Sequence, residues 1–458
     1  MKEKICSIKI NFVILAIWGV VMSFMIPTWQ TPDEQAHLKM IGTSLHNEQM
    51  ADLIYSDMKL SRPKIQFHSE VKVNKEEWKE AITKKPSYNW KECMPKGISL
   101  SVITHLPATI GLLGGVALHL PTFWVMELAE LFALAFYLLV CYLAIGLMPV
   151  KKEVLLLVMA LPMTMQQASC INYDSVLMPL SFLLIAYTMH LYYTEDKITW
   201  KNLLIWAGIL LLIAYVKLPY ILFGVMFFGL PFDKFSVQFG KWTMDGEWIH
   251  KYRWLLRALI VVGICAGYYL VRNNDYVVLA TVMCQEARQT LHLIENSILT
   301  FKDYYAISLV GCFGWIDSQI PRFLEILIYG LMPVLVLVAW LNKKSEFPRK
   351  RQIIYLILTF LLLGFFITIS MVNHTITVLL FGEEQPFGSY DVRSAIYSIP
   401  YIGGLQGRYY IPFLPLPLLA IGKANREENS FAMNGVMIVY TLIAAVTTVF
   451  VLYGRYWA

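Results

Sequence analysis

Long apolar runs separated by short polar stretches set the pattern of this chain. Runs near 8–26, 122–147, 152–171, 174–193, 202–217, 218–232, 254–271, 322–341, 352–371, 407–422 and 432–453 stand out. Each approaches the roughly 20 residues a helix needs to cross a hydrocarbon core. They predict an all-α integral membrane protein, one polytopic domain over 1–458 with about eleven spans. A further run, 98–120, is interrupted by Pro107, Gly111, Gly114 and Gly115 and contains His105, so it fits a crossing or an interfacial helix.

Basic residues arbitrate between those two readings. If 98–120 does not cross, Lys2/Lys4/Lys9, Lys151/Lys152, Lys197/Lys201, Lys234/Lys241/Lys251/Arg253, Lys343/Lys344/Arg349/Lys350/Arg351 and Lys423/Arg426 all fall on one side. The positive-inside rule makes that side cytoplasmic. The N-terminus is then inside and the C-terminus outside, and the outer face receives 27–121, 272–321 and 372–406. Residues 1–26 have a basic start and an apolar centre, yet no small-x-small cleavage site follows, which predicts an uncleaved first helix. Residues 57–96 are polar and rich in Lys, Glu and Trp, enough for a small helical subdomain on the membrane.

Composition agrees with the class. The 458 residues are 57% hydrophobic and only 15% charged, against about 25% charged in soluble proteins. A net charge of +6 records topology in such a chain, so nucleic acid is excluded as a partner class. Seven cysteines show no metal-type spacing; Cys284 and Cys312 share an outer loop and are the candidates for a disulfide if that face is oxidising. No internal repeat is visible, which weighs against an inverted-repeat transporter.

Polar residues that break this pattern gather at outer ends. Thr31-Pro32-Asp33-Glu34-Gln35-Ala36-His37 follows the first run. A capping box explains Thr31, Pro32 and Glu34; it does not require Asp33 or His37, which share one helix face at i, i+4. Asn172 and Asp174 precede one span, Lys217 ends another, Trp315 and Asp317 end the second outer loop, and Arg408 opens a late span. Each has a structural alternative: Asn172 or Asp174 as caps, Lys217 snorkelling, Arg408 as an interfacial anchor. Together they predict one extracytoplasmic cavity. Glu127 and Glu130, at i, i+3 within a span, are expected to face protein or water.

The order Pro32-Asp33-Glu34-x-x-His37, Asn172-x-Asp174, Lys217-x-Pro219-Tyr220, Gly314-Trp315-x-Asp317 and Gln406-Gly407-Arg408-Tyr409 through Pro412 resembles a bacterial family of predicted membrane proteins of unassigned function, over nearly the whole chain. That family in turn resembles the GT-C superfamily of polytopic glycosyltransferases, which use polyprenyl-phosphate sugars and keep an acidic residue in the first outer loop. The resemblance implies a GT-C-like bundle in a bacterial inner membrane, with its site facing outside. It implies a polyprenyl-phosphate sugar donor, and a surface glycan or lipid-linked acceptor. Many GT-C enzymes carry a large C-terminal soluble domain; this chain stops after its last span, so acceptor recognition is expected of the outer loops.

Transfer of a sugar from a lipid phosphate needs a base for the acceptor hydroxyl, and Asp33 is the candidate, with His37 orienting it or touching substrate. It also needs positive charge at the departing phosphate. Arg408 fits by bidentate geometry, with Lys217 as a second cation, and Asn172, Asp174, Trp315, Asp317, Gln406 and Tyr409 are expected to line the substrate site. Gly407 is expected to let the backbone approach the ligand closely. Glu34 offers oxygen to a divalent cation, although its capping role accounts for it without one. A transporter or flippase of a lipid-linked sugar would need a similar basic, aromatic cavity and is the alternative; a scaffold would have no use for this constellation.

Overall fold

A computed structural model describes residues 2–58, 72–193, 197–239, 242–252, 275–341, 349–381, 391–421 and 431–458, with scattered positions between 254 and 273. The expected span at 254–271 lies largely outside the described residues, as do Lys343, Lys344, Lys423 and Arg426. The chain is a helical bundle: α1 (Lys2–Met25), α2 (Glu34–Ser44), α3 (Glu48–Asp57), α4 (Lys75–Thr83), α5 (Leu106–Ala117), α6 (Thr122–Leu147), α7 (Lys152–Met159), α8 (Pro162–Ala168), α9 (Asp174–Tyr193) and α10 (Trp200–Val216) form its first half. Long helices follow at Ala287–Val310, Arg322–Leu341, Lys350–Phe381 and Phe431–Tyr456. Among the described residues, six stretches are long and apolar enough to cross a membrane. Ile10, Val13, Ile17 and Val20 on α1, and Val439, Val446 and Phe450 on the terminal helix, leave apolar side chains exposed, as lipid-facing surfaces do. Among the described residues, paired strands are confined to two short hairpins, Ser236–Phe239 with Trp242–Asp245 and Cys312–Phe313 with Ser318–Gln319.

Three expected spans are not single helices. The run 152–171 breaks between α7 and α8 because Pro162 cannot donate to the preceding turn. Breaking a helix inside a bundle frees carbonyls that lipid cannot satisfy. Here Tyr137 donates to the Met159 carbonyl at 2.8 Å, Tyr440 to Ala160 at 3.0 Å and Thr164 to Val158 at 2.9 Å. The run 218–232 is a 3₁₀ segment, Leu218–Gly229. The run 407–422 is a 3₁₀ segment, Gly407–Phe413, followed by a short helix, Pro415–Ala420; its prolines at 412, 415 and 417 rule out a regular ladder.

The ambiguous run becomes a helical rod, Leu100–Ala117, whose 3₁₀ start passes into α5. Two of its glycines serve helix contact: a Cβ on Gly111 would overlap the Leu128 carbonyl, and one on Gly115 would press on Val125, the close approach small residues permit in membranes. α1 and α6 run antiparallel, since Gly19 abuts Leu134 while Phe24 meets Phe123. Their joined ends therefore lie at the same end of the bundle, and the segment between them crosses an even number of times.

Basic residues mark one end. Lys151 donates to the carbonyls of Leu419 and Ile421 at 3.0 and 2.6 Å, capping the Pro415–Ala420 helix; Lys234 donates to Tyr192, Arg351 to Phe228, and Arg349 pairs with Asp233. At the opposite end the chain's first and last spans are tied together. Trp457 donates to Met25 at 2.9 Å, and Lys72 and Val73 donate to Gly454 and Tyr456. Cys284 is exposed and Cys312 is buried within its hairpin; both are free thiols. The expected disulfide is not formed: Cys312 is buried in the core, whereas Cys284 is exposed.

Candidate functional site

Residues 26–33 turn back into the bundle after α1 and deliver Asp33 as the residue before α2. The expected capping box does not form. Asp33 is the N-cap, in a left-handed conformation at φ 65° and with no side-chain cap. Glu34 is buried and accepts the Trp29 N–H at 2.6 Å instead of reaching back to Thr31. The turn carries a second left-handed residue, Trp29 at φ 72°. Non-glycine residues held in this region mark an over-determined segment, and such segments concentrate at functional sites. Trp315 holds the turn from outside, donating its indole N–H to the Trp29 carbonyl at 3.1 Å. It therefore supports the site by shaping the Asp33 turn.

Arg408 comes from the other end of the chain. Its guanidinium is buried, its Nη1 donates to Gln167 Oε1 at 3.2 Å, and its Nη2 lies 3.9 Å from Asp33 Oδ2. The Nε has no partner among the described residues. Gln167 is positioned by Asn172, whose Nδ2 donates to the same oxygen at 3.0 Å while its Oδ1 caps α9 through the Ser175 N–H at 2.8 Å. Asn172 is thus both the cap and a support for Arg408. Asp174, two residues on, lies within electrostatic reach of Lys217, Arg408 and Asp33.

Aromatic rings complete the wall. Lys217 follows α10; its Nζ lies 5.1 Å from the Tyr173 ring centre and 5.0 Å from that of Tyr409, a cation–π arrangement, and donates to the Tyr173 hydroxyl at 3.4 Å. Arg408 stands 5.5 Å from the Tyr409 ring centre. The Tyr409 carbonyl is fixed by Tyr220 at 3.0 Å. His37 lies one turn beyond Asp33, packs edge-on against Tyr173 at 4.9 Å, and hydrogen-bonds His105 at 2.9 Å. It faces His105 and not the Asp33 carboxylate, so it does not orient that group. Burial first, and then the neighbouring His105, Arg408 and Lys217, lower the His37 pKa from 6.5 to about 3. The ring is neutral at physiological pH.

One expected member, Asp317, is engaged elsewhere. Asp317 pairs with Arg455 at 2.7 Å, both largely buried, and locks the Cys312–Gln319 hairpin to the end of the terminal helix. Gln406 accepts the Tyr409 N–H through its carbonyl, and its buried Oε1 has no partner among the described residues. Gly407 serves packing and not ligand approach: a Cβ there would overlap the Tyr305 carbonyl, and its N–H is taken by Ser308 at 2.8 Å.

Sequence reasoning passed over Gln167, Tyr173 and His105 as site residues. Gln166-Gln167 in an apolar run, and Tyr173 between two named positions, were the available signals. Glu127 and Glu130 are buried against α1 and α2, and Glu34 contacts Glu130. Among the described residues, no group of three or more His, Cys, Asp or Glu side chains is arranged to hold a metal ion.

A helical bundle with several lipid-facing helices and a polar site at one end defines a multi-pass membrane protein. Residues 15–417 match the family described as predicted membrane protein (DUF2142), and the chain belongs to that family. No curated protein and no solved structure matches it.

Proposed function

We propose that this protein is a membrane glycosyltransferase of the GT-C type, which moves a sugar from a polyprenyl-phosphate donor to a surface glycan or lipid-linked acceptor. The observation that carries this reading is the pairing of an accessible carboxylate with a sequestered cation. Asp33 has its side chain 64% exposed, whereas Arg408, 3.9 Å away, is 6% exposed and keeps an unpartnered Nε. An acceptor can reach the first, and a phosphate oxygen suits the second. The acceptor oxygen attacks the anomeric carbon and its proton passes to Asp33. The bond from that carbon to the phosphate oxygen breaks, the electron pair stays on the phosphate, and Arg408 with Lys217 offsets the added charge.

An apolar cavity of about 290 Å³ beside Gly407 and Tyr410, lined also by Ile294, Ile298, Leu309 and Leu405, offers a berth for the first isoprene units. Lys151, Lys234, Arg349 and Arg351 collect at the opposite end, which supports a bacterial inner-membrane orientation with the site outside. The test uses purified protein in proteoliposomes with a radiolabelled polyprenyl-phosphate sugar and a cell-envelope acceptor fraction. Label in the acceptor supports the enzyme. Label crossing between leaflets without transfer makes the protein a transporter and defeats this reading.

A further inference from the structure

A chain of hydrogen bonds behind the site fixes which nitrogen of His37 carries the proton. The Thr104 hydroxyl donates to the Ser101 carbonyl at 2.8 Å, and a carbonyl can only accept. A hydroxyl has one hydrogen, so the contact between Thr104 Oγ1 and His105 Nδ1, also 2.8 Å, requires Nδ1–H on His105. His105 is buried with no acidic partner among the described residues, so its ring is neutral too; its Nε2 is then bare and accepts, and the 2.9 Å contact to His37 Nδ1 requires the proton on His37. A neutral imidazole holds one proton. The His37 Nε2 is left as a lone pair, with no hydrogen bond to any described residue.

We propose that Thr104 and His105 are positioning residues that lock His37 in the Nδ1–H tautomer, so that its Nε2 accepts a hydrogen bond from a hydroxyl of the bound sugar. The sugar contact rests on the glycosyltransferase reading; the tautomer does not. The location supports it, because Tyr173 is shared between His37 and Lys217, placing the ring beside the cations assigned to the phosphate. A ring whose conjugate acid is this acidic takes no proton during turnover, so it selects and orients a hydroxyl while Asp33 acts as base. A site built around such an acceptor rejects an analogue that lacks the hydroxyl, because the acceptor is left unpaired.

The test is nitrogen-15 NMR of histidine-labelled protein in nanodiscs, with the two rings assigned through His37→Asn and His105→Asn variants. Protonated Nδ1 on both rings with bare Nε2 on His37 is expected; a protonated Nε2 on His37 overturns the relay. Thr104→Val should lose the single tautomer at His105, and Thr104→Ser should keep it. Unchanged tautomers in the Val variant would remove Thr104 from the relay. Adding a polyprenyl-phosphate hexose should then shift the His37 Nε2 resonance. Binding that leaves this resonance unmoved overturns the sugar contact, and no binding at all defeats the proposed function, and the contact with it, while the relay stands on its own readout.

Discussion

The Asp33 carboxylate and the Arg408 guanidinium, from opposite ends of the chain, lie 3.9 Å apart with very different exposure. A half-solvated pair at that distance adds little to stability. Its consequence is positional: Gln167 fixes the cation, while the anion is free to turn toward an acceptor.

Arg408→Lys therefore tests what the guanidinium does. A lysine keeps the charge but loses the fork that serves Gln167 and, in the proposed function, a phosphate oxygen as well. Losing one charged hydrogen bond, roughly 1.5–3 kcal/mol, corresponds to about a ten- to hundredfold drop in donor affinity. Titration of polyprenyl-phosphate sugar against protein in nanodiscs measures it. Unchanged affinity would make Arg408 an interfacial anchor.

Glu34 and His37, buried groups in the turn and helix that carry Asp33, move stability with pH in opposite directions. Burial raises the Glu34 carboxyl from 4.5 to about 7, against its hydrogen bonds from Glu130 and Trp29. Its stabilising contribution is complete below pH 4.5 and is lost as pH rises through 7. His37 is lowered to about 3, so its contribution is complete above pH 6.5 and is lost as pH falls toward 3. Between pH 4.5 and 6.5 the two slopes oppose each other. Glu34→Gln removes one of these slopes, so on acidification its stability should fall relative to the wild type by up to roughly 1.4 kcal/mol per pH unit. A Glu34→Gln profile that parallels the wild type across this window would refute the assignment.

Asp317 is expected to behave as architecture. Asp317→Ala removes the carboxylate that accepts from Arg455 Nε and Nη2 in a largely buried position, a cost of about 2 kcal/mol, visible as a lower melting temperature in detergent. Turnover per folded molecule should be unchanged. A selective loss of turnover with normal melting would return Asp317 to the site.

The membrane class was legible because apolar length has one physical explanation, and the site's main charges were legible because lipid tolerates few of them. What escaped depended on neighbours in space. The residues flanking Asp317 do not reveal that Arg455 takes its carboxylate. The Thr31 to Glu34 spacing suits a capping box, but burying Glu34 against Trp29 wins the same carboxylate. The break before Pro162 is tolerable only because Tyr137 and Tyr440, distant in sequence, supply the missing donors. His105 carried no sign of a partner until α2 placed His37 beside it.

The central claim is that Asp33 is the base, and Asp33→Asn examines it directly, since the amide keeps the size but cannot take a proton. Its backbone already adopts φ 65°, a conformation asparagine tolerates well, so folding should be intact. Sugar transfer by the purified variant in nanodiscs should fall by about 10²–10⁴, with donor affinity retained through Arg408. Wild-type transfer by the Asp33→Asn variant would contradict the account.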